Sequence, residues 1–166
     1  MGRDYSLEDV KRKVKICIII LFENDRFLFE VECHERTISH KLAEYLQIVF
    51  PEWNVDCEYN RMEFDSKRMH VIEDCSKRKK KGEESLVFPD IIIHRRNTKD
   101  NLLVIEIKKN DDSVCDAEKL KEFTDSNGDF SYKWGLFINF KSTREPELKW
   151  FKDKEQMNGK DDSTPR

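Results

Sequence analysis

Two apolar runs, Leu86 to His94 and Leu102 to Lys108, are separated only by the polar segment 95 to 101, and nothing else in the chain constrains its fold as tightly. Each run is short and rich in Ile, Leu and Val, which is strand composition, and the short connection predicts an antiparallel hairpin. Asp90, Glu106 and Lys108 are set into these runs. A charge inside a buried strand is costly unless it is paired or used.

The flanking segments supply an α/β framework. "HERTISHKLAEYLQIVF" puts Ile38, Leu42, Tyr45, Leu46 and Val49 on one helical stripe and is ended by Pro51. "WNVDCEYN" alternates Trp53, Val55, Cys57 and Tyr59 with polar residues, the pattern of a strand with one polar face. Residues 61 to 85 are polar and read as a loop. "DAEKLKEFT" predicts a short helix on Ala117, Leu120 and Phe123, and "FSYKWGLFINF" a last strand whose Gly135 admits a close neighbour. Upstream, Leu7 to Phe22 carries a helical stripe at Val10, Val14, Cys17, Ile18 and Leu21; "ICIII" is equally strand-like, and the helix is preferred. One domain over residues 1–151 is expected, with 1–26 as a helical extension and 152–166, which have almost nothing to bury, as a disordered tail.

Charged residues make up 39% of the chain, yet the formal net charge is -3, so any surface for a polyanion must be local. The five cysteines are odd in number and form no C-x-x-C, which suits a reducing compartment and argues against a zinc site. "KRKVKICIIILF" is too short to span a bilayer and is followed by charge rather than a cleavage site. A cytoplasmic protein without a membrane partner is expected.

Glu106 and Lys108, two residues apart on a strand, share a face, and Asp90 opens the partner strand. Two carboxylates brought together raise each other's pKa unless a cation intervenes. Few and hard oxygen ligands favour Mg²⁺ or Mn²⁺. Lys108 beside such an ion could deprotonate or orient an attacking water, or stabilise charge on a pentacovalent phosphate.

Pro89-Asp90 followed, after a hairpin, by Glu106-Ile107-Lys108 resembles the PD-(D/E)xK nuclease superfamily, with its restriction-endonuclease-like fold. The wider pattern "HERTISHKLAEYL", "VDCEYNR", "PDIIIHRR" and "NLLVIEIKK" is similar to small bacterial members of that superfamily. The resemblance covers roughly residues 28 to 140. It implies an αβββαβ core with a mixed central sheet flanked by helices, the order read above. It also implies a magnesium-dependent nuclease with Asp90 and Glu106 as metal ligands, a metal contact from the main-chain carbonyl of Ile107, and a carboxylate on the first core helix. Glu35 fits that last place because it lies on the stripe of Ile38, Leu42 and Leu46; a helix-dipole role is its alternative, and Glu32 is the fallback residue.

Glu58, on the polar face of the first strand, could hold Lys108 or a metal-bound water, or simply pair with a lysine at the surface. Arg95, Arg96 and Lys119 are candidates for phosphate contact, as is the basic run Lys77 to Lys81. Two functions are consistent with these residues: a metal-dependent nuclease, or a nucleic-acid-binding or protein-interaction module that keeps the fold without cleaving. The sequence leaves open whether the substrate is DNA or RNA, and whether the chain works as a homodimer or with a protein partner.

Overall fold

The computed structural model describes residues 4–31, 33–59, 61–62, 65–66, 68–70, 84–111, 114–141 and 145–157, with the backbone alone described within 61–70 and 84–86. Helix α1 (Leu7–Asn24) starts where the Ser6 hydroxyl accepts the Asp9 N–H, and Glu8 and Asp9 occupy its positive first turn. Its buried stripe is Val10, Val14, Cys17, Ile18 and Leu21. A single helical turn, α2 (Phe27–Glu30), precedes α3 (Glu35–Val49), which buries Ile38, Leu42, Ala43 and Leu46.

Strand β1 (Asn54–Cys57) is followed by two short antiparallel pairs, β2 (Arg61–Met62) with β3 (Asp65–Ser66) and β4 (Arg68–His70) with β5 (Glu84–Leu86). The segment read as a loop thus contains local strands, each only two or three residues long. The hairpin is β6 (Ile91–His94) with β7 (Asn101–Lys109), antiparallel as expected, although the first apolar run is broken between β5 and β6 around Pro89. Helix α4 (Val114–Phe123) leads to β8 (Trp134–Phe140), then β9 (Glu147–Lys152) and β10 (Glu155–Gln156).

The six-stranded mixed sheet runs β1-β6-β7-β8-β9-β10; β7 and β8 are parallel and every other neighbouring pair is antiparallel. A parallel pair needs a crossover, which the segment containing α4 provides. Apart from the short strands β2 to β5, which lie outside the six-stranded sheet, the order α3-β1-β6-β7-α4-β8 follows the helix, strand, hairpin, helix, strand sequence expected.

The central strands are mostly apolar because both faces are covered. Ile91 and Ile93 of β6, Leu103, Ile105 and Ile107 of β7, and Leu136 and Ile138 of β8 pack in one core with α1 and α3. The alternate residues Ile92, Val104 and Phe137 pack with Leu120 and Phe123 of α4 and with Phe151 of β9. Helix α1 is therefore part of the main core rather than an appended extension. Gly135 does permit a close approach: an added Cβ would lie 3.0 Å from Thr124 Cγ2 and 3.3 Å from Leu120 Cδ2.

The C-terminal boundary is also corrected. The sheet continues through β9 and β10 to Gln156, inside the segment expected to be a tail, and residues 158–166 lie outside the described ones. Cys17, Cys33 and Cys57 are free thiols, but Cys115 is disulfide-bonded, which the reading of a reducing compartment did not lead one to expect. Among the described residues no helix is long and apolar enough to cross a membrane.

Candidate active site

The site lies where β6 gives out beside a longer β7. Continuing the β6–β7 register two residues beyond Ile91–Ile105 sets Asp90 opposite Glu106 and Pro89 opposite Ile107. Proline has no N–H, so the ladder cannot be completed there. The Asp90 carboxylate replaces the missing strand in part: Oδ2 accepts the Ile107 N–H at 2.7 Å. At the next position on the same edge, the Lys109 N–H donates to Glu35 Oε1 at 3.1 Å. The N–H and C=O of one strand residue point the same way, so the Ile107 carbonyl faces the gap that β6 leaves. Asp90 thus reaches the site along the edge of the sheet, through the Ile107 N–H.

Glu106 and Lys108 project to the α4 face. Glu106 is only 3% exposed, and its Oε1 is buried with no hydrogen-bond partner among the described residues. Burial pushes its carboxyl well above the usual range, and the negative charges of Asp90 and Asp116 add to the shift against the pull of Lys119 and Lys108. Burial also raises Asp90, although the Ile107 N–H and the Lys108 charge work the other way.

Lys108 Nζ is 3.4 Å from Asp116 Oδ2 and 3.6 Å from Glu35 Oε2. Burial works against its charge, yet Asp116 and Glu35 outweigh it and hold the amine above its ordinary 10.5. Asp116, which the sequence reading did not single out, is 2% exposed on α4 and also binds Lys119 Nζ at 2.7 Å. A signal for it existed: Asp116, Leu120 and Phe123 follow the i, i+4, i+7 spacing of a buried stripe, and a carboxylate on such a stripe needs partners.

The other expected residues divide cleanly. Lys119 does reach the cluster. Glu35 reaches it too, as a partner of Lys108 and of the Lys109 N–H. Glu58 does not hold Lys108: with φ of 49° it turns out of β1, and its carboxylate pairs with Arg36 at 3.0 Å. Arg95 and Arg96 follow the far end of β6 from Asp90, where Arg95 lies over the Trp53 ring and Arg96 grips Asp56. They are not beside the carboxylates. Glu32 and Lys77 to Lys81 lie outside the described residues.

Four carboxylates (Glu35, Asp90, Glu106, Asp116) face two ammonium groups (Lys108, Lys119), so with every group ionised 4 − 2 leaves two negative charges, the charge of one divalent cation. Among the described residues no three His, Cys, Asp or Glu side chains are gathered to hold a metal as they stand. The donors that fit are two carboxylates and a carbonyl: Asp90, Glu106 with its orphan oxygen, and Ile107. All are hard oxygens, the set for Mg²⁺ or Mn²⁺. Comparison with known proteins adds nothing to this geometry, since no protein family, curated protein or solved structure matches the chain.

At the opposite end of β6, buried His94 Nε2 lies 2.8 Å from Asp56 Oδ2, and the Arg96 guanidinium binds both Asp56 oxygens. Burial opposes the Asp56 charge, but Arg96 and His94 overcome it and lower the carboxyl below its ordinary 3.8. With a folded pKa below the unfolded one, the stabilisation is complete above the unfolded value and is lost as pH falls through the folded one. Asp56→Asn should therefore cost about 2 kcal/mol at neutral pH, the scale of charge-assisted hydrogen bonds. In urea unfolding the gap to the wild type should close below about pH 4. A gap independent of pH would show that packing, not charge, holds this corner.

Proposed function

We propose that this chain is a metal-dependent nuclease, hydrolysing phosphodiester bonds from a PD-(D/E)xK type of site on a restriction-endonuclease-like core. The observation that carries the reading is Glu106, a buried carboxylate near Asp90 with an oxygen that has no partner among the described residues. Stability alone would favour an apolar residue at such a position. Asp90, Glu106 and the Ile107 carbonyl would hold Mg²⁺ or Mn²⁺. When bound, the ion would polarise a phosphoryl oxygen and lower the pKa of a water.

Lys108, kept cationic by Asp116 and Glu35, acts as a stabiliser of negative charge on the phosphoryl oxygens, not as a base. Glu35 positions it, and the Asp90 carboxylate is itself oriented by the Ile107 N–H. Saturating Mg²⁺ or Mn²⁺ should raise the melting temperature of the wild type and leave that of Asp90→Ala unchanged, as mass action requires for a ligand of the folded state. A cleavage panel over single- and double-stranded DNA and RNA then identifies the substrate. A wild type that neither responds to metal nor cleaves would leave a binding module on the same fold.

A further inference from the structure

Helix α1 buries one side against the core, and its outer side is not purely polar. Ile16 and Ile19, in the middle of the helix, are 44% and 47% exposed. At about 100° per residue, the buried Val10, Val14, Cys17, Ile18 and Leu21 centre on one side, and the stripe directly opposite is Arg12, Ile16, Ile19 and Glu23, all exposed. Steps of four, three and four residues separate these positions, the spacing of the contact seam in a pair of packed helices. The seam is self-complementary in one direction only. Two copies of α1 laid antiparallel about a twofold axis between residues 17 and 18 set Ile16 of one against Ile19 of the other, and Arg12 of one against Glu23 of the other. Each contact then occurs twice, as a twofold interface requires. Laid parallel and in register, the same seam would set Arg12 on Arg12 and Glu23 on Glu23, with like charges meeting at both ends.

We propose that this chain forms a symmetric dimer through the outer face of α1, antiparallel, with Ile16 and Ile19 at the centre and an Arg12–Glu23 pair at each end. Arg12 already meets Asp9 at 2.6 Å, but its side chain is 70% exposed and a guanidinium has donors to spare for a second carboxylate. Lys15, one turn from Arg12, adds to the positive potential that Glu23 of the other copy meets. Helix α1 packs with α3 on the sheet face away from α4, so a partner seated on α1 leaves the α4 face, with Glu106 and Lys108, uncovered. The surface is therefore independent of the metal-site reading. Two apolar layers and two exposed ion pairs make a small interface, and the dimer is reversible, with a Kd in the micromolar range or weaker.

The test is sedimentation velocity of the metal-free full chain over a concentration series reaching about millimolar, at low salt so that the ion pairs are not screened. The weight-average mass of the wild type should climb toward twice the monomer value. Ile19→Glu, at an exposed position that leaves the core intact, should stay monomeric throughout. Arg12→Glu and Glu23→Arg each put like charges at both ends and should raise Kd about tenfold or more, whereas the double variant Arg12→Glu/Glu23→Arg restores opposite charges and should return to within about threefold of the wild type. Melting curves establish that each variant is folded, and Glu23→Arg leaves the Arg12–Asp9 pair untouched. A wild type that is monomeric at the highest concentration would overturn the dimer and assign the face to a partner other than this chain. Association that persists in Ile19→Glu, or a double variant no better than the single ones, would overturn this seam and its antiparallel direction.

Discussion

Lys108→Ala should give a folded protein that still binds Mg²⁺ but turns over on the order of a hundredfold more slowly, or worse, the scale for losing a charge-stabilising group in the transition state. The fold survives because both carboxylates that hold Lys108 keep a second partner: Asp116 retains Lys119, and Glu35 retains the Lys109 N–H. Metal affinity should be unchanged or higher, since a positive charge beside the ligands has gone. Asp90→Ala must behave differently. It removes a ligand and also uncaps the Ile107 N–H, so metal binding and cleavage are lost together and stability falls. The two variants are compared by metal titration, melting and cleavage rate on one preparation. Wild-type cleavage by Lys108→Ala, in material free of contaminating nuclease, would remove this site from consideration.

The parts of the fold legible in the sequence are those where periodicity and burial agree. The stripe at Ile38, Leu42 and Leu46 was visible because one face of α3 is buried, and the hairpin was visible because β6 and β7 are covered on both faces. Strand β9 escaped notice because it contributes only one fully buried residue, Phe151, and the run ELKWFK lacks the apolar density of a central strand. Asp90, Glu106 and Lys108 could be singled out because charge in an apolar strand is conspicuous. Asp116 is less conspicuous: it shares the stripe of Leu120 and Phe123, but among the charges of "DAEKLKEF" a carboxylate looks like any surface residue until the helix is docked on the sheet. Arg95 and Arg96 stand apart from Asp90 because β6 lies between them, and a strand carries its ends apart by about 3.3 Å per residue. Glu58 was lost to a backbone event, the positive φ that ends β1, which no alternation pattern announces.

Glu106→Gln should move stability and function in opposite directions. The glutamine keeps the shape of the side chain while removing a charge that burial makes costly. Without metal the variant should be more stable than the wild type by about 1–3 kcal/mol, the range for relieving a buried, incompletely paired charge. In saturating Mg²⁺ or Mn²⁺ the order should reverse or the gap should close, because only the wild type gains binding free energy. Cleavage should fall to background, since one of two carboxylate ligands is gone. Urea unfolding of both proteins with and without metal reads all of this in one experiment. A glutamine variant less stable than the wild type in the absence of metal would mean that Glu106 is a structural partner of Lys119 and Lys108. In that case its burial would need no ligand to explain it, and the strongest argument for a metal site in this chain would be lost.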